Sequence, residues 1–375
     1  MENRPLFGLD IIRFAAALLV AWFHLAYFNW AGRATSAPLM AGAVFFPDIA
    51  PLASFGWVGV HIFFVLSGFV IAYSAENKTA SQFAKSRFLR LYPAVWICAT
   101  ISLLVLSMSR KDLADEFIRS IFLWPFGPWV DGVYWTLGIE MAFYGLVWFL
   151  LLVRMPLKMP ALLAAVGIPS CIFWSIWFFD HLAGGSRLFW TFGHRYFELT
   201  LLQHGCFFTL GGMLWLISLK SATSLRWLLT GWALGSGLIC IYATAHYKVL
   251  AGQGHSPAVP MLLWLLAVGS IVISVVFKGR VSPVAGVVIR TLGLATYPLY
   301  LLHNVVRQAL MRHFVIIGVP QAVALVAALV GVVALSILVL IPEKPLRRAS
   351  NLAWESAMRR AEILKLKLHR RGRSQ

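Results

Sequence analysis

Four ionisable side chains stand inside otherwise apolar stretches of this sequence: His24 in AWFHL, His61 in GVHIFF, Glu140 in YWTLGIE and His303 in LYLLHN. Such groups are costly in a bilayer and usually face a bundle interior or a water-filled path, so they are the first candidates for chemistry. A neutral imidazole paired with a carboxylate can take a proton from a hydroxyl, because the carboxylate fixes the tautomer and stabilises the imidazolium. On that chemistry a histidine base oriented by Glu140 is expected, with His24, His61 and His303 as the candidates. Arg13 precedes His24 by three helical turns, which leaves the two about 20° apart on one face and roughly 16 Å apart along the axis. Asp10, one turn before Arg13, can orient the guanidinium. Counted from the outer ends of their spans, His24, His61, Glu140 and His303 all come out roughly 5 to 12 Å below the outer boundary, which predicts one shared site.

Arg87 and Arg90 in FAKSRFLRLYP are one turn apart on one helix face. Guanidiniums so placed suit phosphate groups, which they can bind bidentately, although a positive-inside bias alone would also put basic residues there. Ser67-Gly68 in IFFVLSGF allows close helix approach or a locally opened backbone. Ser67, Trp135, Tyr300 and His303 are expected to contact substrate. There is no GxSxG elbow, no P-loop, no HExxH, and no histidine followed by an aspartate five residues later. The four cysteines, Cys98, Cys171, Cys206 and Cys240, fall in separate apolar stretches without metal-ligand spacing. They are expected to be inert core thiols, with no metal bound.

The elements that must position these groups are membrane helices. The chain has 375 residues, 60% of them hydrophobic and only 12% charged, with a mean hydropathy of +0.79. A bilayer core about 30 Å thick takes about 20 apolar residues per helix. Stretches of that kind recur along the chain, approximately at Phe7–Phe28, Phe55–Ala75, Leu91–Met108, Val133–Val153, Ala161–Phe179, Leu199–Ser218, Trp227–Ala245, Val259–Phe277, Leu292–Met311 and Ala322–Ile341. The expected fold is an all-α membrane protein, a bundle of about ten transmembrane helices over residues 1–343, followed by a basic cytoplasmic tail, 344–375. The segment Phe117–Pro128 is too short and too rich in proline to span and is expected at the outer interface or as a re-entrant turn. The first apolar run carries Asp10 and Arg13 and no A-x-A cleavage site, which predicts a permanent helix rather than a removable signal.

The formal net charge is +18. The basic residues concentrate in alternate loops and in the tail, the positive-inside pattern, which predicts a multi-pass protein of a bacterial inner membrane with both termini cytoplasmic. A basic helix on anionic lipid accounts for the tail without nucleic acid.

Taken in order, LDIIRFAAALLVAWFH, GVHIFFVLSGFVIAYS, RFLRLYPAVW, YWTLGIEMAFY, TYPLYLLHN and IPEKPLRR resemble the acyltransferase-3 family, membrane proteins that O-acylate extracytoplasmic glycans. The resemblance covers nearly the whole chain, and the spacing of Arg13 and His24 is its most specific element. It implies a catalytic His24, an essential Arg13, and functional roles for the Glu140 segment and for Arg87 and Arg90. It also implies a cytoplasmic acyl-CoA donor, foremost acetyl-CoA, and a glycan or lipid-linked saccharide as acceptor. Two departures stand out: His61 occupies a position where many members carry an acidic residue, and the fused hydrolase-like domain of some members is not expected here.

The expected activity is therefore O-acyl transfer, with Arg87, Arg90 and Arg13 holding the donor's phosphates. His24 would be general base or acyl carrier. No cofactor is expected to stay bound, and membrane lipids and a second copy of the chain complete the partners considered. The alternative is a proton-coupled membrane transporter, since intramembrane His and Glu also build proton relays. Transporters often show two related halves, and none are seen here.

On the predicted topology, a membrane-impermeant thiol reagent applied to intact cells labels single cysteines placed between Asn29 and Ser54 and spares those placed in the tail. Labelling of the tail with protection of that loop would invert the orientation.

Overall fold

The computed structural model describes residues 6–28, 46–153, 159–185, 194–219, 223–252, 254–277 and 281–371, with side chains to residue 360. Among the described residues, nine helices are long and apolar enough to cross a membrane. In chain order the main helices are α1 (Phe7–Phe23, continued by a π turn at His24–Phe28), α2 (Gly59–Ala75), α3 (Ala80–Ser107), α4 (Ala114–Ile121), α5 (Trp135–Leu152) and α6 (Met159–Leu182). They continue with α7 (Gly205–Ser218), α8 (Ser224–Leu250), α9 (Ala258–Val276), α10 (Pro283–Leu302), α11 (Val305–Ile316) and α12 (Gln321–Arg371). Successive spans alternate in direction, so Asp10 of α1, Arg87 of α3, Arg290 of α10 and Arg347 of α12 gather at one end of the bundle, here the basic end. The protein is a multi-pass, all-helical membrane protein.

The bundle is built around α2, which packs most extensively on α7 and also touches α1, α5 and α9. Glycine allows the α2–α7 approach. A Cβ at Gly68 would strike the backbone carbonyl of Phe208, and one at Gly211 would strike that of Val65. With lipid as apolar as any side chain, close backbone packing of this kind holds membrane helices together. Phe143 of α5 stacks on Phe208 at 4.6 Å between centroids and extends the contact outward.

Several boundaries differ from the sequence expectation, each for a local reason. The third span starts at Ala80 rather than Leu91, because a capping box nucleates it: Thr79 Oγ1 accepts from Gln82 N (3.3 Å) and Thr79 N donates to Gln82 Oε1 (3.0 Å). Arg87 and Arg90 are thus held on a rigid helix. The sixth span shortens to α7, 14 residues or roughly 21 Å, less than the hydrocarbon thickness. Before it, Leu201 takes a left-handed conformation (φ 63°), and the 3.0 Å bond from Cys206 N to Ser170 Oγ ties the start of α7 to α6. Enclosed by α2, α6 and α8, α7 has neighbours where a longer helix would have lipid.

The ninth span is not one helix. It breaks at His303-Asn304 into α10 and α11, because the buried Asp131 carboxylate accepts from Asn304 Nδ2 (2.9 Å) and Val305 N (3.1 Å) and so caps a new helix. At the other end of the chain, α12 runs unbroken through Pro342 and Pro345, its 51 residues reaching roughly 77 Å. Past the predicted span it docks on α3 through Lys85–Glu355 (2.9 Å), Arg347 Nε to Leu89 O (2.8 Å) and the rings of Phe88 and Trp354. The stretch Phe117–Pro128 holds the end of the short α4 and a turn, and does not span.

Gly211→Val forces α7 away from α2. Overpacking of this kind costs about 1–3 kcal/mol. The expected result is a lower melting temperature in detergent than that of Gly235→Val, whose site has open space around it.

Candidate active site

Between α1, α2, α3, α5, α10 and α12 lies a cavity of about 350 Å³. Five arginines line it, Arg13, Arg87, Arg90, Arg290 and Arg347, against two carboxylates, Asp10 and Glu140. Asp10 lies 3.4 Å from Arg13 and 3.6 Å from Arg290, and Arg347 is 3.8 Å from Glu343. Arg87 and Arg90 have no carboxylate within ion-pair distance among the described residues. Their positive charge rests on aromatic faces: Arg87 lies 5.7 Å from the rings of Phe83 and Tyr144, and Arg90 lies 5.8 Å from that of Tyr297. Arg87 Nη2 donates to Ser86 Oγ at 3.1 Å, and the remaining donors of the two guanidiniums, on one face of a rigid helix, suit an anion.

Glu140 sits further along the same cavity. It accepts from Ser67 Oγ at 2.6 Å and from the Tyr144 hydroxyl. The expected pairing of Glu140 with His24 is absent: neither residue is among the other's hydrogen-bond partners, and His24 does not line the cavity. Depth along a helix fixes a residue's height but not its neighbours, and the four intramembrane groups expected at one site divide among three places. Thr136 and Tyr300 also line the cavity, their hydroxyls 2.8 Å apart, with the Phe63 ring against Tyr300.

Beside Tyr300 lies the His303 ring, 5.4 Å away between centroids, and the His24 ring lies 4.9 Å from that of His303. Nδ1 of His24 is 2.9 Å from the carbonyl oxygen of Val20, and Nδ1 of His303 is 2.7 Å from that of Tyr300. A carbonyl can only accept, so each Nδ1 carries the proton and each Nε2 presents a lone pair. His303 Nε2 is buried without a partner. The backbone that carries His303 is fixed by the helix break at Asp131 and by Arg307, whose Nε donates to the His303 carbonyl and whose Nη2 bonds Asn304 Oδ1 at 3.0 Å. Sequence reasoning passed over Asp131 and Arg307. The one local signal was the aspartate of PWVDGVYW, which caps the turn at Gly132–Tyr134 by accepting from Val133 N (3.2 Å).

His61 lies elsewhere, beside His204 and Cys240, each offering a ligand atom within 4.8 Å of the others. The positions 61, 204 and 240 are too far apart in sequence to show as a motif. Trp135 is also outside the arginine cavity. Its carbonyl accepts from Arg195 Nη2 at 2.8 Å, and its ring lies 6.2 Å from that of His204. Ser67 and Tyr300 do line the cavity. Most of the expected outer loop between Asn29 and Ser54, residues 29–45, lies outside the described residues.

Residues 6–341 match the sequence model of the acyltransferase-3 family, described as an acyltransferase domain. The chain belongs to the acyltransferase-3 family. It is also similar to the acyltransferase MdmB of Streptomyces mycarofaciens, 26% identical over 170 residues, 40% of this chain and 42% of that protein. The match thus spans less than half of that relative. No solved structure matches significantly. Membership of this family favours group transfer over the transport alternative.

Proposed function

We propose that this protein moves an acyl group, foremost acetyl, from cytoplasmic acyl-CoA to a sugar hydroxyl of an extracytoplasmic or lipid-linked glycan. The basic end of the bundle is then the cytoplasmic one, with both termini there, in a bacterial inner membrane. The observation that carries this reading is the cavity: Arg87 and Arg90 stand in it without counter-charge, and its far end stops at Tyr300, directly against the His303 and His24 pair. A donor with several phosphates and a long pantetheine arm fits that arrangement, phosphates on Arg87, Arg90 and Arg13, thioester toward Thr136 and Tyr300.

His24 Nε2 is the reacting nitrogen, since its Nδ1 proton is committed to Val20. Two routes use its lone pair. As general base, Nε2 takes the proton of the acceptor hydroxyl while that oxygen attacks the thioester carbonyl; the C–S bond breaks and the leaving thiolate takes the proton back. As acyl carrier, Nε2 attacks the thioester carbonyl, the C–S bond breaks and CoA leaves as thiolate; the acceptor oxygen then attacks the acyl-imidazole, the C–N bond breaks to restore the His24 lone pair, and the hydroxyl proton passes by way of His303 Nε2 to the thiolate. In either route the thioester must pass the Thr136–Tyr300 contact, so opening that hydrogen bond is part of the cycle. His303, with its own free Nε2, is placed to relay a proton from His24. Glu140, bonded to Ser67 and Tyr144, balances the arginines and acts on the donor side.

Arg87→Ala and Arg90→Ala each remove a charge-assisted contact worth about 1.5 to 3 kcal/mol, roughly a ten- to hundredfold weaker affinity for CoA. Calorimetric titration of the purified variants checks this, and CoA affinity equal to wild type would return the pair to a topological role.

His24→Ala is expected to abolish acylation with the protein still inserted at normal levels. Loss of a general base costs about 10² to 10⁴ in rate, and loss of an acyl carrier costs more. Mass spectrometry of surface glycans from deletion and complemented strains reads the outcome and names both acyl group and acceptor. Full acylation in the His24→Ala strain would overturn the mechanism.

A further inference from the structure

Outside the arginine cavity, α2, the turn before α7, and α8 bring together His61, His204 and Cys240, whose ligand atoms all lie within 4.8 Å of one another. The three side chains are buried, at 6%, 7% and 3% exposure. His61 Nδ1 and both ring nitrogens of His204 have no hydrogen-bond partner. Buried polar atoms are nearly always satisfied, and each one left bare costs about 1–3 kcal/mol. One nitrogen from each imidazole and the thiol therefore form a buried donor set, in rings whose hydrogen-bonding capacity is left unused. The surrounding wall is apolar: the rings of Trp57 and Phe207 lie 5.4 and 4.9 Å from His61, and that of Phe64 lies 5.0 Å from His204.

We propose that His61, His204 and Cys240 bind a single copper(I) ion. Two imidazoles and one thiolate form a soft, low-coordinate donor set, and a thiolate selects copper(I) or zinc over hard cations. Charge then decides between those two. The cluster contains no carboxylate, and two cations flank it. Lys248 Nζ lies 5.8 Å from the Trp57 ring, and Arg195 bonds the carbonyl of Trp135, whose ring adjoins His204.

A copper(I) thiolate is neutral overall and so is tolerated in this low-dielectric, positively flanked place. A zinc ion with one thiolate keeps a net positive charge, and structural zinc sites take four ligands. On binding, the Cys240 S–H bond breaks, an S–Cu bond forms, and the proton leaves to solvent, with copper monovalent throughout. Metal–ligand bonds of about 2.0–2.3 Å place three trigonal donors about 3.5 Å apart, so the cluster closes by roughly 1 Å, within reach of side-chain rotation. The ion would clasp α2 to α8 and to the turn before α7, on the side of α2 not used by the donor cavity. The inference stands apart from the proposed transfer reaction.

The test uses the full-length protein in detergent, loaded anaerobically with copper(I) or with zinc, then stripped with a soluble chelator of the same metal and measured by mass spectrometry for metal per chain. Wild type is expected to retain about one copper and to melt at a higher temperature with copper than without. Cys240→Ser and His204→Gln are expected to lower copper affinity by roughly 100-fold or more, since even outer partners of a metal site cost 10- to 100-fold. His181→Gln, outside the cluster, is expected to leave it unchanged. X-ray absorption of copper-loaded wild type needs no variant to fold, and one sulfur with two nitrogens is expected in its first coordination sphere. The proposal fails if wild type retains no copper, if it holds zinc in preference, if the variants retain copper as well as wild type, or if the absorption spectrum lacks sulfur.

Discussion

Mutual repulsion among the arginines that converge between α1, α3, α10 and α12 is the constraint the rest of the bundle answers to. Placed in a medium of low dielectric, like charges at these separations would drive the helices apart unless other groups compensate. Asp10 does so by bridging Arg13 and Arg290, Glu343 serves Arg347, and the rings of Phe83, Tyr144 and Tyr297 receive Arg87 and Arg90. Compensation is incomplete at those last two, and that shortfall is what an anionic ligand can make good. The long α12 belongs to the same arrangement, because it brings Arg347, paired with Glu343, to the cavity wall and is itself pinned to α3 by the Lys85–Glu355 pair and the Arg347 to Leu89 bond.

Much of the architecture was legible in the sequence, because hydropathy and span length are read directly from residue type. The arginine group was legible as well: Arg13, Arg87 and Arg90 were singled out, and they share a cavity with Ser67, Glu140 and Tyr300. What the sequence could not carry was azimuth and neighbourhood. His24 and Glu140 have similar expected depths, yet one meets His303 and the other meets Ser67 and Tyr144. The break after α10 depends on Asp131, far away in sequence, whose carboxylate reaches the Val305 amide. An apolar run containing His303 gives no warning of it. Likewise His61, His204 and Cys240 acquire a common meaning only once α2, α7 and α8 are packed together.

The Thr136–Tyr300 hydrogen bond has a bearing on the energetics of the cell. An arginine-lined cavity open to one compartment fills with water and small anions, and the histidine pair beyond it is a natural stepping-stone for protons. Were the two continuous, the protein would be an unregulated conductor, discharging whatever electrical and pH gradient its membrane maintains. Two hydroxyls 2.8 Å apart, backed by Phe63, stand at the wall of that cavity next to His303. In the proposed transfer reaction that contact would open only around substrate, with the ligand itself as the stopper, so that chemistry could pass from one face to the other while the membrane stays electrically sealed.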